Sequence, residues 1–319
     1  MTRESKLFTP LTIGPLTLRN RTIRAAAFEG MCPGNAPSEM LHDYHLSVAR
    51  GGIGMTTIAY AAIVRSGLSF PHQLWLRPEI LPALRQLTDD IHATGAAASI
   101  QIGHCGNMSH KNICGCTPIS ASTGFNLYSP TFVRGMKQSE IVAMSKAFGQ
   151  AVHLAREAGM DAVEVHAGHG YLISQFLSPT MNNRTDEFGG CAKNRARFCR
   201  MVIDEVRKAI GPRVPISLRL SVDELVEGGN TVDDCLEYLE YLNDEVDLFD
   251  TSSGLNPSIQ YQIDANYLED GWRAYMAKAV RDKFGKPTIA IGNIRNPQVA
   301  EDILARGDAD LIGMGRGLI

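Results

Sequence analysis

Val163-Glu164-Val165-His166-Ala167-Gly168-His169-Gly170-Tyr171-Leu172 is the stretch on which the fold and the chemistry turn. Its β-branched start reads as a strand over 162–166, which delivers the His166 imidazole to the strand's C-terminal end. The glycines that follow turn the chain so that His169 and Tyr171 can face the same space.

Outward from this point the same rhythm of short apolar runs and helical spacing fills the chain. Strands are predicted at 22–25, 54–59, 97–102, 162–166, 215–220, 248–251, 288–291 and 310–314. Helices are predicted at 38–50, 79–94, 139–158, 193–210, 232–243, 272–284 and 297–305. Thr231 before Val232-Asp233-Asp234 and Asn296 before Pro297 are helix start signals, and Gly51, Gly95, Gly159 and Gly307 suit helix ends. Eight strands alternating with helices are what closes a parallel (β/α)8 TIM barrel, an α/β fold, as one domain over 1–319. An open doubly wound sheet shows the same alternation but announces itself with G-x-G-x-x-G after its first strand. Here Gly51-Gly52-x-Gly54 precedes a strand instead. The longest interruption, 103–138, follows the third strand and is expected to cap the catalytic face. Only Gly315-Arg316-Gly317-Leu318-Ile319 follow the last strand, so the final covering helix is missing from the sequence. Exposed apolar surface on the first and seventh helices is expected in consequence.

Composition narrows the partners. With 319 residues, 44% hydrophobic and 20% charged, the chain can bury one large core. A net charge of -3 provides no basic face for nucleic acid or an anionic membrane, so a small molecule is the expected partner and a homo-oligomer is left open. The start, from Met1 to Pro10, has no apolar leader, and no run approaches the roughly 20 apolar residues of a membrane span. Seven cysteines, an odd number, argue for a reducing compartment and a cytoplasmic protein. Cys105, Cys114 and Cys116 lie near His104 and His110, but their spacing is not that of structural zinc, and no metal is expected there.

Two imidazoles can donate hydrogen bonds to one developing oxyanion, and a phenol can supply a proton. Hydride arriving at the β-carbon of an enone needs all three groups, because charge builds on the carbonyl oxygen and the α-carbon must be protonated. His166, His169 and Tyr171 provide that set. The competing reading makes the two histidines zinc ligands of a barrel hydrolase or aldolase, with Asp186 as a candidate third ligand. A barrel serving only as a binding module is a further alternative.

The run from Val165 through Tyr171-Leu172-Ile173-Ser174-Gln175-Phe176-Leu177-Ser178-Pro179, followed by Asn183-Arg184-x-Asp186-x-Phe188-Gly189-Gly190, resembles the signature of the old yellow enzyme family of flavin oxidoreductases. The resemblance continues in Leu7-Phe8-Thr9-Pro10, Leu18-Arg19-Asn20-Arg21, Gln101-Ile102-Gly103-His104-x-Gly106 and Gly313-Met314-Gly315-Arg316, in order along the chain. It implies an FMN-dependent ene-reductase that draws on NADH or NADPH and reduces the activated C=C bond of α,β-unsaturated carbonyl compounds. Carried onto matching positions, it implies that His166 and His169 bind the substrate carbonyl and that Tyr171 protonates carbon. Gln101 and Arg219 would meet the flavin's pyrimidine edge, and Ala25, Ala26, Ala27 and Ala59 would line its ring. Gly292, Asn293, Gly315 and Arg316 would hold the phosphate, in loops where barrels commonly bind one. Long members of the dienoyl-CoA reductase-like branch add an iron–sulfur cluster and FAD after the barrel. Those groups are expected only if the natural chain continues past Ile319. Phe28 stands where many relatives carry Thr or Cys, which removes a hydrogen bond to the flavin and any thioether link to it. Phe125, Tyr128 and Phe132 suggest an apolar wall for the substrate pocket.

Overall fold

The computed structural model describes residues 5–318, so Met1 to Glu4 and Ile319 lie outside the described residues. Eight parallel strands close into a barrel: β1 (Thr22–Arg24), β2 (Met55–Ala62), β3 (Ala97–Gly103), β4 (Ala162–Ala167), β5 (Ile216–Asp223), β6 (Leu248–Ser253), β7 (Thr288–Ala290) and β8 (Leu311–Met314). The seam is β8 against β1, with Ile312, Gly313 and Met314 opposite Thr22, Ile23 and Arg24. Strand order follows chain order around the ring, as βα repetition requires.

The covering helices are α1 (Glu39–Arg50), α2 (Leu81–Ala93), α3 (Gln138–Glu157), α4 (Ala192–Ile210), α5 (Val232–Leu239), α6 (Ala274–Phe284) and α7 (Pro297–Arg306). In α4 the buried positions Ala192, Ala196, Cys199, Ile203 and Val206 recur every three or four residues, while Arg207 and Lys208 sit at the carbonyl-rich end. Helix α5 stops at Leu239, four residues short of the predicted end, because a 3-10 turn (Asn243–Glu245) takes over before β6.

Two features frame the barrel's ends. An antiparallel hairpin, Leu11–Ile13 with Leu16–Leu18, packs Ile13 and Leu18 against Ile23, Met55, Ala162, Leu248 and Leu311, at or near the strands' first residues, and plugs the bottom. At the top, the excursion after β3 folds into a short helix (Lys111–Cys114) and a three-stranded sheet of Ile119–Ser120, Gly124–Asn126 and Thr131–Gly135.

The expected apolar flank does not appear. Among the described residues α7 carries no large exposed apolar side chain, and α1 carries only Met40, in its first turn. Part of the reason is the N-terminal segment: Leu7 is buried with Ala300, Ile303 and Leu304 of α7 and Ile312 of β8, and the backbone amides of Lys6 and Leu7 donate to the Glu301 carboxylate.

Candidate active site

Alternation along the strands decides which side chains enter the barrel. Val163 and Val165, Leu218 and Leu220, Ile100 and Ile102 join the apolar layer under the helices. Side chains one position away point the other way, so Glu164, His166, Arg219 and Gln101 face inward. Register then sets them side by side: Gln101 lies opposite Glu164, His166 opposite Arg219, and Arg219 opposite Asp250.

Gln101, His166 and Arg219 border a cavity of about 550 Å³ at the strands' C-terminal ends, within the range of small-molecule sites. Gln101 donates to Glu164 at 2.8 Å, and Ser217 donates to the other carboxylate oxygen at 3.1 Å. Arg219 donates to the Ala26 carbonyl at 2.8 Å, while its Nε is buried with no partner in the protein. Burial, then the Asp250 charge, pushes the Glu164 carboxyl up to about 8.

His169 holds a left-handed backbone (φ 61), stabilised by its amide donating to Ser221 Oγ at 2.8 Å, and its Nε2 lies 2.7 Å from Ser252 Oγ. The His166 and His169 rings are 5.2 Å apart, and the Tyr171 ring is 4.6 Å from that of His166. Burial foremost, and the Arg219 charge second, hold both imidazoles well below their usual range, so both are neutral at pH 7. Burial pushes the Tyr171 phenol up to about 12, with Cys105 adding to it, so the phenol keeps its proton. The cluster is thus a set of neutral hydrogen-bond donors next to a fixed cation.

The opposite wall is mostly backbone. Ala25, Ala26 and Ala27 run along it beside Phe28, and Gly292, Asn293, Gly315 and Arg316 close its far end. Gly292 adopts φ 135, and a Cβ there would lie 2.8 Å from Arg273 Cγ, so the turn needs a residue without a side chain. Asn293 spends its amide on the carbonyls of Ala265 and Leu268, and Arg316 donates to the Asp264 carbonyl at 2.7 Å.

Every catalytic or cofactor residue singled out from the sequence lines this cavity except Ala59. The pairing of β2 with β3 shifts register between Ile58 and Ala61, and Tyr60 reaches the cavity instead. The Ala59 amide donates to the Glu29 carboxylate at 3.2 Å. The cap aromatics Phe125, Tyr128 and Phe132 do not reach the cavity; all three are exposed, and Phe125 packs on Phe132 at 5.1 Å, its partner across the cap sheet. Sequence reading missed Arg273, which is 2% exposed and donates to the Ile291 carbonyl, Ser253 Oγ, the Tyr261 carbonyl and the Asp264 carboxylate. Its one signal was an unusually long connection after the sixth strand, since Trp272-Arg273 itself reads as ordinary helix start.

Among the described residues no three His, Cys, Asp or Glu side chains gather as metal ligands, and the seven cysteines are free. No helix among the described residues is long and apolar enough to cross a membrane.

The model of the NADH:flavin oxidoreductase / NADH oxidase family matches residues 6–319. The chain belongs to that family, the old yellow enzyme family. It is 33% identical to an NADH oxidase of Thermoanaerobacter brockii, an alignment that takes in all of this chain and half of the relative. It is 33% identical to an NADPH dehydrogenase of Bacillus subtilis, covering 98% of this chain and 91% of that one. The chain therefore spans about half the length of one relative and most of the other. Among solved structures, a 2-naphthoyl-CoA reductase bound to 2-naphthoyl-CoA superposes with a TM-score of 0.90 at 28% identity, over 98% of this chain and 50% of that one.

The cavity fits the cofactor the family name implies. A flavin mononucleotide needs a cation and amide contacts for its polar ring edge, a wall without bulky side chains for its ring, and backbone donors for its phosphate. Arg219 has an unpaired buried Nε on the cavity wall, Ala25, Ala26 and Ala27 leave a flat side, and the Gly292 turn is free of side chain.

Proposed function

We propose that this chain is the FMN-binding barrel of an NAD(P)H-dependent oxidoreductase that reduces the activated C=C bond of α,β-unsaturated carbonyl compounds. The observation that carries the reading is the meeting of the His166, His169 and Tyr171 rings beside Arg219, whose Nε has no partner in the protein, in one cavity. Bound FMN supplies two-electron chemistry, accepting hydride from a nicotinamide and releasing it to an alkene.

Arg219 and Gln101 hold the polar edge of the flavin, Ala25, Ala26 and Ala27 lie along its ring, and Gly292, Asn293, Gly315 and Arg316 take its phosphate. His166 and His169 donate hydrogen bonds to the substrate carbonyl oxygen, where negative charge gathers as the β-carbon is reduced. Neutral rings suit this role, since each keeps one N–H to donate without a proton to lose. Tyr171 then gives its proton to the α-carbon and recovers one from solvent. Nicotinamide and alkene use the same face in turn, which accounts for a chain with no separate dinucleotide motif.

The test is an anaerobic titration of the FMN-reconstituted protein with NADH and with NADPH, followed by a panel of enones. Bleaching of the flavin by a nicotinamide and its return on adding an enone supports the reading. A protein that retains no FMN, or whose reduced flavin returns with oxygen but with no enone, overturns it.

A further inference from the structure

Below the cavity three ionisable side chains meet with one cation between two carboxyls. Glu164 of β4, Arg219 of β5 and Asp250 of β6 are 3%, 7% and 1% exposed. Arg219 Nη1 stands 3.9 Å from Glu164 Oε1 and 3.6 Å from Asp250 Oδ2, too far for a direct hydrogen bond to either. Glu164 lies within hydrogen-bonding reach of Asp250, and Asp250 Oδ1 has no partner. The other neighbours bring no charge to spare. Gln101 from β3 and Ser217 from β5 are neutral, as are the buried His166 and His169. Arg273 acts on Asp250 and Arg219 from a distance but is bound to Asp264 at 2.8 Å. With both carboxyls ionised, Arg219 would face two negative charges in a site almost without water, an arrangement that burial opposes.

We propose that Glu164 and Asp250 hold one proton between them, and that this shared proton leaves the Arg219 guanidinium free to stabilise negative charge on a reduced flavin. The inference rests on the FMN reading above. Both carboxyls act through Arg219 and are positioning residues. Glu164, pushed up to about 8 by burial and Asp250, keeps the shared proton below that pH and loses it above. An anionic reduced flavin adds negative charge nearby and raises the pair's hold on the proton. Reduction just above pH 8, where the pair is nearly half protonated, therefore draws the missing fraction of that proton from solvent onto the carboxyl pair, in addition to the electron pair and proton taken by the flavin itself.

Two measurements on the wild type, Glu164→Gln and Asp250→Asn test this. The first is infrared titration of the protein without flavin, following the carbonyl band of a protonated carboxyl. Beside the band of the buried Glu224 carboxyl, which is pushed up to about 7 and stays in every protein, the wild type should show a band that fades around pH 8, and both variants should lack this second band, since the remaining carboxyl then has Arg219 to itself. The second is proton uptake during stepwise anaerobic electrochemical reduction of the FMN-loaded proteins, read with an indicator dye just above pH 8. The wild type should take up as much as about half a proton more per flavin than either variant, because the resting pair is already nearly half protonated at that pH. No band fading around pH 8 in the wild type, the same pH 8 band persisting in both variants, or equal proton uptake in all three proteins overturns the proposal. A barrel that binds no FMN overturns the functional reading, while the infrared titration still decides the shared proton.

Discussion

At the β4–β6 side of the cavity the polar groups are side chains locked by strand register, whereas at the β7–β8 side the wall is backbone, glycine and the shaft of Arg273. The first region holds His166, His169, Arg219, Gln101 and Glu164, all buried. The second depends on the φ 135 turn at Gly292 and on Asn293 and Arg316, whose side chains bind loop carbonyls. The difference teaches what each end can recognise. Charge that appears during a reaction needs donors fixed before it forms, which strands supply; a permanent anion needs close backbone approach, which loops supply.

The largest expected effect separates chemistry from binding at the side-chain end. Tyr171→Phe should slow reoxidation of reduced flavin by an enone ~10²–10⁴-fold while leaving reduction by NAD(P)H nearly intact, as measured by stopped-flow absorbance. Equal loss in both half-reactions would place Tyr171 among the binding groups only.

Next comes the loop end. Arg273→Met removes the partner of the buried Asp264 carboxylate, and about 3–5 kcal/mol of stability should go with it in chemical denaturation. Gly292→Ala forces the Arg273 shaft or the turn to move and should cost about 1–3 kcal/mol, with weaker FMN retention on gel filtration. If Gly292→Ala keeps its FMN, the phosphate is held elsewhere and the contrast between the two ends fails.

Acid should act on the side-chain end. His166 and His169 titrate well below the usual 6.5 in the folded protein, so below about pH 6.5 the unfolded chain binds protons that the folded one does not. Stability is therefore lost as pH falls through that range, by up to about 1.4 kcal/mol per pH unit for each ring. A His166→Asn, His169→Asn double variant should have a flatter dependence of melting temperature on pH below 6.5. The smallest effect is expected at Gly315→Ala, whose new methyl meets nothing within 4 Å: stability should stay within about 0.5 kcal/mol of wild type.

The eight strands and seven helices were legible because each strand buried on both faces reads as a short apolar run, and most of the helices carry a start or stop signal. Of the polar residues at those strand ends, His166 was legible from its place at the end of an apolar run, whereas Gln101 and Arg219 were assigned through the resemblance to the old yellow enzyme family. Ala59 stands outside the cavity lining at a register shift in β2 that depends on its pairing with β3, and no residue in either strand announces it. Phe125 and Phe132 were misplaced because apolar residues in a loop pack equally well inward or across a local hairpin.

What the sequence alone determined is the βα order and the identity of the groups at each strand's end, since both follow from patterns a few residues long. Only the closed barrel decided which groups touch. The sharing of Arg219 between Glu164 and Asp250, and the packing of Arg273 under Gly292, join residues from separate strands and loops. Such contacts are set by register and closure, which are properties of the assembled ring and of no single segment.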